Sequence, residues 1–296
     1  MKPELLILAA GLGSRYQGLK QLDGFGPNGE TLMEYSLYDA WKAGFGRVVF
    51  VIQESFVETF TKKIQKPYSK WMEIDYVFQT LEDLPEGFIL PAGRTKPWGT
   101  AHAVWVARNH LRAPFAVINS DDFYGSHSLA LLADFLKKQA LDGTDFLLVA
   151  YRLKQTLSEE SSVNRGIVQT DGGHLLEIEE RIGIHQTPEG LIQDDQDQTF
   201  SPDTAVSMNC WGFSLKILEM LDQGLNGFLH HHLAEPRAEF FLPQVVDQGV
   251  KENRIQVEVG QSPDRWIGVT HRADKEQAQK AILQLIELGQ YPSPFI

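Results

Sequence analysis

The feature that most restricts the fold is the way short apolar runs take turns with amphipathic segments through the first half of the chain. Leu5 to Ala9, Arg47 to Ile52, Ile74 to Phe78, Phe115 to Asn119 and Phe146 to Tyr151 read as strands. Between them, Leu32 to Ala43, Ser55 to Gln65, Thr100 to Asn109 and Leu129 to Ala140 carry helical periodicity. Strands that lack polar alternation are covered on both faces, so the pattern predicts an α/β fold with a doubly wound, mostly parallel, Rossmann-like sheet. From about Val163 the rhythm changes to closely spaced strands, Gly166 to Thr170, His174 to Glu179 and Gly190 to Gln193, with an Asp171-Gly172-Gly173 turn. These predict added β-hairpins. Helical patterns near Leu215 to Leu221 and Phe240 to Gln248, a strand near Gln256 to Val259 and a helix from Asp274 to Leu288 form a C-terminal helical segment.

No Pro/Gly/Ser linker, repeat or low-complexity tract interrupts the 296 residues, so one domain is expected over 1–296. Its parts are a core at 1–150, which the resemblance given below makes nucleotide-binding, a part at 151–250, which it makes acceptor-binding, and a terminal strand and helix at 251–296. The net charge of −12 leaves no basic excess to neutralise phosphates over a broad surface, which argues against nucleic acid or an anionic membrane as partner. A single cysteine, Cys210, forbids an intramolecular disulfide and fits a reducing, cytoplasmic location. No apolar run approaches the ~20 residues needed to span a bilayer. A homo-oligomer is compatible with these numbers.

The most informative stretch is Leu6 to Leu22. A buried strand runs into Ala9, Ala10, Gly11, Leu12 and Gly13, whose small side chains let backbone N–H groups approach phosphate oxygens, and Arg15 and Lys20 bring two cations to the same place. The dinucleotide fingerprint needs glycine where Tyr16 stands. A P-loop needs Gly-Lys followed by Ser or Thr, but Lys20 lies between Leu19 and Gln21. Further on, the strand ending at Asn119 delivers Asp121 and Asp122 to its carboxyl end, where open parallel sheets place their ligand sites.

The opening Leu8-Ala9-Ala10-Gly11-Leu12-Gly13-Ser14-Arg15, followed by Lys20, resembles the nucleoside-triphosphate:sugar-1-phosphate nucleotidylyltransferases. Their fold is glycosyltransferase-A-like. The resemblance extends from Leu5 to about Val246 and implies transfer of a nucleotidyl group from UTP or dTTP to a sugar 1-phosphate, forming a nucleotide sugar and pyrophosphate with Mg²⁺. By the same resemblance Arg15, Lys20 and Asp121 are catalytic, with Ala10, Gly11, Gly13, Gln79, Gly99 and Thr100 around the nucleotide. Gln79 would read the pyrimidine edge, and Gly99 would lie against the base because no Cβ intrudes. Gly166, Glu180, Arg181 and Asn209 would hold the acceptor, Arg181 through its phosphate. His102 reads as a packed helix histidine.

Asp121 aligns with the metal aspartate of the family. The second one is absent from its usual place, because Trp266-Ile267-Gly268 puts glycine there, and Asp264 is the nearest substitute. His230-His231-His232 diverge by about 100° each on a helix and do not converge on one ion. The short Arg15-to-Lys20 interval and the Lys20-Gln21 pair are also similar to cytidylyltransferases acting on a polyol or amino-alcohol phosphate. Gly268 admits a catalytically silent nucleotide-sugar-binding regulator, and a glycosyltransferase would consume nucleotide sugars instead of making them. No hexapeptide-repeat extension follows, so a second activity is not expected.

Overall fold

The computed structural model describes residues 1–11, 23–158, 161–268 and 274–295. Its first strand, β1 (Glu4–Leu8), is buried along its whole length. It is followed by α1 (Leu32–Ala43), β2 (Arg47–Ile52), the short helical pieces α2 (Val57–Phe60) and α3 (Lys66–Tyr68), β3 (Glu73–Phe78), α4 (Thr100–Val106) and β4 (Phe115–Asn119). The strands β3, β2, β1 and β4 lie side by side and parallel. Successive residues of a strand face opposite sides of the sheet. Leu5 and Ile7 therefore join one core while Leu6 and Leu8 join the other, which is why the strand is apolar throughout.

The helix expected from Ser55 to Gln65 is broken. Between α2 and α3 the chain widens into a π-turn at Thr61–Gln65. Pro67 in α3 has no N–H to return to the carbonyl four residues back, so a regular α-helix cannot continue through it.

The second half supplies β5 (Asp122–Phe123), α5 (Ser126–Leu136), β6 (Asp145–Arg152), β7 (Val163–Asp171), β8 (His174–Gln186), β9 (Ile192–Gln193), β10 (Thr199–Phe200), β11 (Ala205–Phe213), α6 (Lys216–His232), α7 (Leu242–Lys251), β12 (Gln256–Gln261), β13 (Ile267–Gly268) and α8 (Asp274–Glu287). The large sheet runs β10-β9-β8-β12-β6-β11-β4-β1-β2-β3, with β7 bridging β11 and β8. Here the expectation of a mostly parallel sheet is corrected. β11 enters antiparallel between β4 and β6, and the only other parallel pairing in the described sheet is β6 with β12, so the sheet is mixed. Helices cover both faces: Met33, Leu37, Leu129 and Leu132 of α1 and α5 pack on one, and Trp105, Ile217, Leu221 and Val245 of α4, α6 and α7 on the other.

Gly172 and Gly173 close the β7–β8 hairpin with φ of 55° and 86°, a left-handed pair that glycine adopts without a Cβ clash. A second, two-stranded sheet joins β5 to β13, and α8 covers it through Ala278 and Ile282 against Phe25, Tyr35, Phe123 and Ile267. Among the described residues no helix is long and apolar enough to cross a membrane.

Candidate active site

Four strand exits are tied together at the carboxyl edge of the parallel block. Ala9 N–H donates to Val51 O (2.8 Å), Gln79 N–H to Ile52 O (3.0 Å), and Ser120 N–H to Leu8 O (3.1 Å). Ala10 and Gly11 leaving β1, Gln53 leaving β2, Gln79 leaving β3, and Ser120 and Asp121 leaving β4 consequently share one rim, the usual ligand position of an open α/β sheet. Gln53, which the sequence reading did not single out, donates from Nε2 to Ala10 O at 2.9 Å and fixes the direction in which the glycine loop departs. A Cβ built on Gly11 meets nothing within 4 Å. Gly13, Arg15 and Lys20 lie outside the described residues.

Gln79 is half-buried beside the N-terminus of α4. Its Nε2 faces His102 Nδ1 at 2.9 Å and Gly99 O at 3.3 Å. The other ring nitrogen of His102, Nε2, lies 2.6 Å from Asp83 O. Burial pushes the His102 pKa down to about 4, with Asp83 opposing, so the imidazole is neutral near pH 7. The packed histidine expected from the sequence is fully enclosed.

Gly99 is also required by its packing inside the protein. At its φ of +104° a Cβ would come within 2.5 Å of Phe240 O and 2.9 Å of Phe240 N. The neighbouring backbone forms a tight clasp: Phe240 N–H donates to Trp98 O (2.7 Å), and Ala101 N–H donates to Phe240 O (3.0 Å). The Thr100 hydroxyl accepts from Leu242 N–H at 3.0 Å, which joins the start of α4 to the start of α7. Arg94 completes the clasp, its guanidinium 3.3 Å from the centre of the Trp98 ring and donating to Ala238 O at 2.7 Å. The substitution-sensitive contact of Gly99 is therefore Phe240.

Asp121 is half-buried in the turn between β4 and β5. Its neighbour Asp122 is buried, and Asp122 Oδ2 accepts from Asn119 Nδ2 (2.9 Å) and stands 3.2 Å from the Tyr124 hydroxyl. Asn209 joins the same network. Its Nδ2 donates to Asn119 Oδ1 (2.8 Å), and its Oδ1 accepts from Trp211 Nε1 (3.0 Å). A bulge in β11 between Ser207 and Trp211 gives Asn209 a φ of 58°, which turns its side chain toward β4.

Asp264, the second metal ligand that the resemblance implies, sits against the start of α5. Its Oδ2 accepts from His127 N–H (2.8 Å) and its Oδ1 lies 2.8 Å from His127 Nδ1, so both oxygens are engaged at the N-terminus of α5. The carboxylate fills the space a Cβ on Gly125, the cap residue, would take. Gly268 is equally constrained. It pairs with Asp122 across β5 and β13, and a Cβ there would fall 2.0 Å from the Trp266 ring, so any side chain at this position has to displace that ring. Among the described residues no group of three His, Cys, Asp or Glu side chains could hold a metal ion. Asp121 supplies hard oxygen at the rim, which suits an ion that takes one or two carboxylates and completes its shell with phosphate and water.

On the hairpin, Gly166 stands opposite Glu180, and Arg165 opposite Arg181. Adjacent residues of β8 leave the strand on opposite sides, so Glu180 and Arg181 start from different faces of the hairpin. Arg181 is held by Glu179 (2.7 Å) and Asp194 (3.4 Å). Arg165, missed in the sequence, donates to Thr156 Oγ1 (3.1 Å) and Asn164 O (2.7 Å) and lies 5.0 Å from the Trp266 ring centre. Burial lowers its pKa to about 10, with the charges of Asp122 and Glu180 opposing that shift. Burial also raises the Glu180 pKa, and Arg165 counteracts it. The signal available in the sequence was its place directly before Gly166.

The fold is shared with known proteins. A family model described as nucleotidyl transferase matches residues 5–170. No curated protein matches the chain. Among solved structures, a UDP-glucose pyrophosphorylase complexed with UDP-glucose superimposes with a TM-score of 0.63 at 15% identity, over 96% of this chain and 99% of the other. The inositol-1-phosphate CTP transferase from T. maritima gives 0.63 at 15% identity, over 94% and 96%. The UDP-glucose pyrophosphorylase from Acinetobacter baumanii gives 0.60 at 14%, over 97% and 99%. At such identities the likeness is one of fold, whereas the family match covers more than half of the sequence. The chain belongs to the nucleotidyl transferase family.

Proposed function

We propose that this protein transfers a nucleotidyl group from a pyrimidine nucleoside triphosphate, UTP or dTTP, to a sugar 1-phosphate, releasing pyrophosphate and forming a nucleotide sugar. The observation that carries the reading is the convergence of Ala10 and Gly11, Gln79 and Asp121 on one sheet rim, in a chain whose residues 5–170 match the nucleotidyl transferase family. In the reaction an oxygen of the acceptor phosphate bonds to the α-phosphorus while the bond to the pyrophosphate oxygen breaks, so no covalent enzyme intermediate is needed. Catalysis then rests on positioning and charge neutralisation.

Backbone N–H groups from Gly11 to Gly13, with Arg15, would hold the β- and γ-phosphates, and Lys20 the α-phosphate side. Gln79 would meet the base, with the Gly99 and Thr100 backbone beside it. Gly166 and Glu180 would line the acceptor side, and Arg165 would add positive charge there. Arg181, braced by Glu179 and Asp194, would hold the acceptor's phosphate. Asp121 would hold Mg²⁺, whose chemistry would be to neutralise charge on the phosphates. Asn209 would keep β4 and its Asp121 turn in place through Asn119.

The test is pyrophosphate release by purified protein with Mg²⁺, using UTP, dTTP, CTP, ATP and GTP against a panel of sugar 1-phosphates. Inositol 1-phosphate belongs in the panel, because a CTP transferase for that acceptor shares the fold. Release requiring UTP or dTTP and one sugar 1-phosphate supports the reading. Release requiring CTP and a polyol phosphate replaces it. Asp121→Ala and Arg15→Ala each lower kcat by at least about 10²-fold, the scale for losing one preorganised charge-stabilising group.

A further inference from the structure

We infer that His102 is a positioning residue that locks the Gln79 amide with its oxygen toward the base, making base selection at this site depend on a fixed hydrogen-bond acceptor. The inference rests on the reading of Gln79 as the base-contacting residue. Its physical basis is a chain of three groups with only one consistent proton arrangement.

The chain starts at Asp83. Its backbone carbonyl can only accept, so the facing Nε2 of His102, 2.6 Å away, must carry a proton. A neutral imidazole carries one ring proton, so Nδ1 presents a lone pair. Burial keeps the ring neutral at physiological pH, since the pKa falls to about 4. The Gln79 amide therefore faces two acceptors, His102 Nδ1 at 2.9 Å and Gly99 O at 3.3 Å. Only the NH₂ end satisfies both. The reversed amide would set its oxygen against a ring lone pair and a carbonyl oxygen at once, leaving the fully enclosed His102 nitrogen without a donor.

Both amide hydrogens of Gln79 are thereby used inside the protein, and Oε1 has no partner among the described residues. A glutamine free to rotate by 180° would serve a donor or an acceptor edge equally. Here that freedom is removed. Uracil and thymine carry a donor at N3, whereas cytosine presents a lone pair at the same atom. A site built around a fixed acceptor favours the first two, because cytosine in the same pose leaves Oε1 facing a lone pair.

Equilibrium binding of UTP, dTTP and CTP and steady-state pyrophosphate release are measured for wild type, His102→Leu and His102→Gln. The wild type prefers UTP or dTTP over CTP by at least about tenfold. His102→Leu removes the acceptor at Nδ1, and the preference falls by at least about tenfold, with the change carried by affinity and KM. His102→Gln restores it, since its amide oxygen can accept from Gln79 while its NH₂ donates to Asp83 O. An unchanged preference in a folded His102→Leu protein, or a wild type that prefers CTP, overturns the inference. Should His102→Leu fail to fold, the ¹⁵N shifts of the His102 ring in the wild type decide: a proton on Nε2 at pH 7 is expected, and a proton on Nδ1 overturns the proposal. If the wild type binds no pyrimidine triphosphate, the functional reading itself fails. That result is distinct from binding whose preference ignores position 102.

Discussion

Asp39 illustrates how one buried carboxyl can set a pH dependence far from the rim. It lies in α1, hydrogen-bonded by the Tyr291 hydroxyl at 2.8 Å, and burial raises its pKa to about 8 despite that bond. An unfolded aspartate titrates near 3.9, so between about pH 4 and 8 the folded state holds a proton that the unfolded state has lost. This contribution is complete below pH 4 and declines as pH rises toward 8, by about 1.4 kcal/mol per unit. Asp39→Asn removes that slope, which urea unfolding at pH 6 and 8 will show. His102 acts in the other direction. Its folded pKa of about 4 lies below the ordinary histidine value, so stability is lost as pH falls from about 6.5 to 4, and His102→Gln flattens this acid limb. At Gly99 an alanine would be strained by a φ of +104° and by contact with Phe240 O, costing about 1–3 kcal/mol in the same assay. Gln79 and Gly99 can be named from the sequence through the family resemblance. What Gly99 packs against cannot, because Phe240 is far away in the chain. Glu180 and Arg181 could be named as a pair, but which face each takes depended on a hairpin that continues as a regular strand through both.

Among the elements, α5 starts in an unusual way. Its cap residue is Gly125, which has no side chain, and Asp264 from the C-terminal part supplies the missing carboxylate to His127 N–H. A negative group there also meets the positive end of the helix dipole. Asp264→Ala therefore lowers thermal stability by about 1 kcal/mol and leaves the Mg²⁺ concentration giving half-maximal pyrophosphate release where it was. A large shift in that concentration assigns Asp264 to the metal instead. The limits of α1, β2 and β4 are readable to the residue, because α1 carries a clear helical period and β2 and β4 are short continuous apolar runs. β11 was not recognised as a strand at all. The bulge at residues 208–210 breaks the period of two, and Asn209 in a left-handed conformation reads as a loop residue. The π-turn after α2 was hidden for a related reason, since Pro67 disturbs hydrogen bonding one turn before its own position.

For the whole molecule, the late position of β11 matters most. The α/β layering was visible from the apolar runs, but the mixed sheet was not, because the direction of β11 is set by partners distant in sequence. A fragment ending at residue 170 contains the whole family-matching segment and yet lacks the strand that joins β4 to β6. Such a fragment unfolds without a cooperative transition, whereas the full chain melts sharply; circular dichroism on both checks this. The same arrangement bears on synthesis. At the ~5–20 residues per second of a ribosome, roughly 4 to 17 seconds separate the emergence of β4 from that of β11. Throughout that interval β4 presents an unpaired apolar edge, the kind of template on which another nascent chain can add a strand. Yield of native protein should therefore rise when translation is cooled or when a chaperone that shields extended segments is supplied in excess.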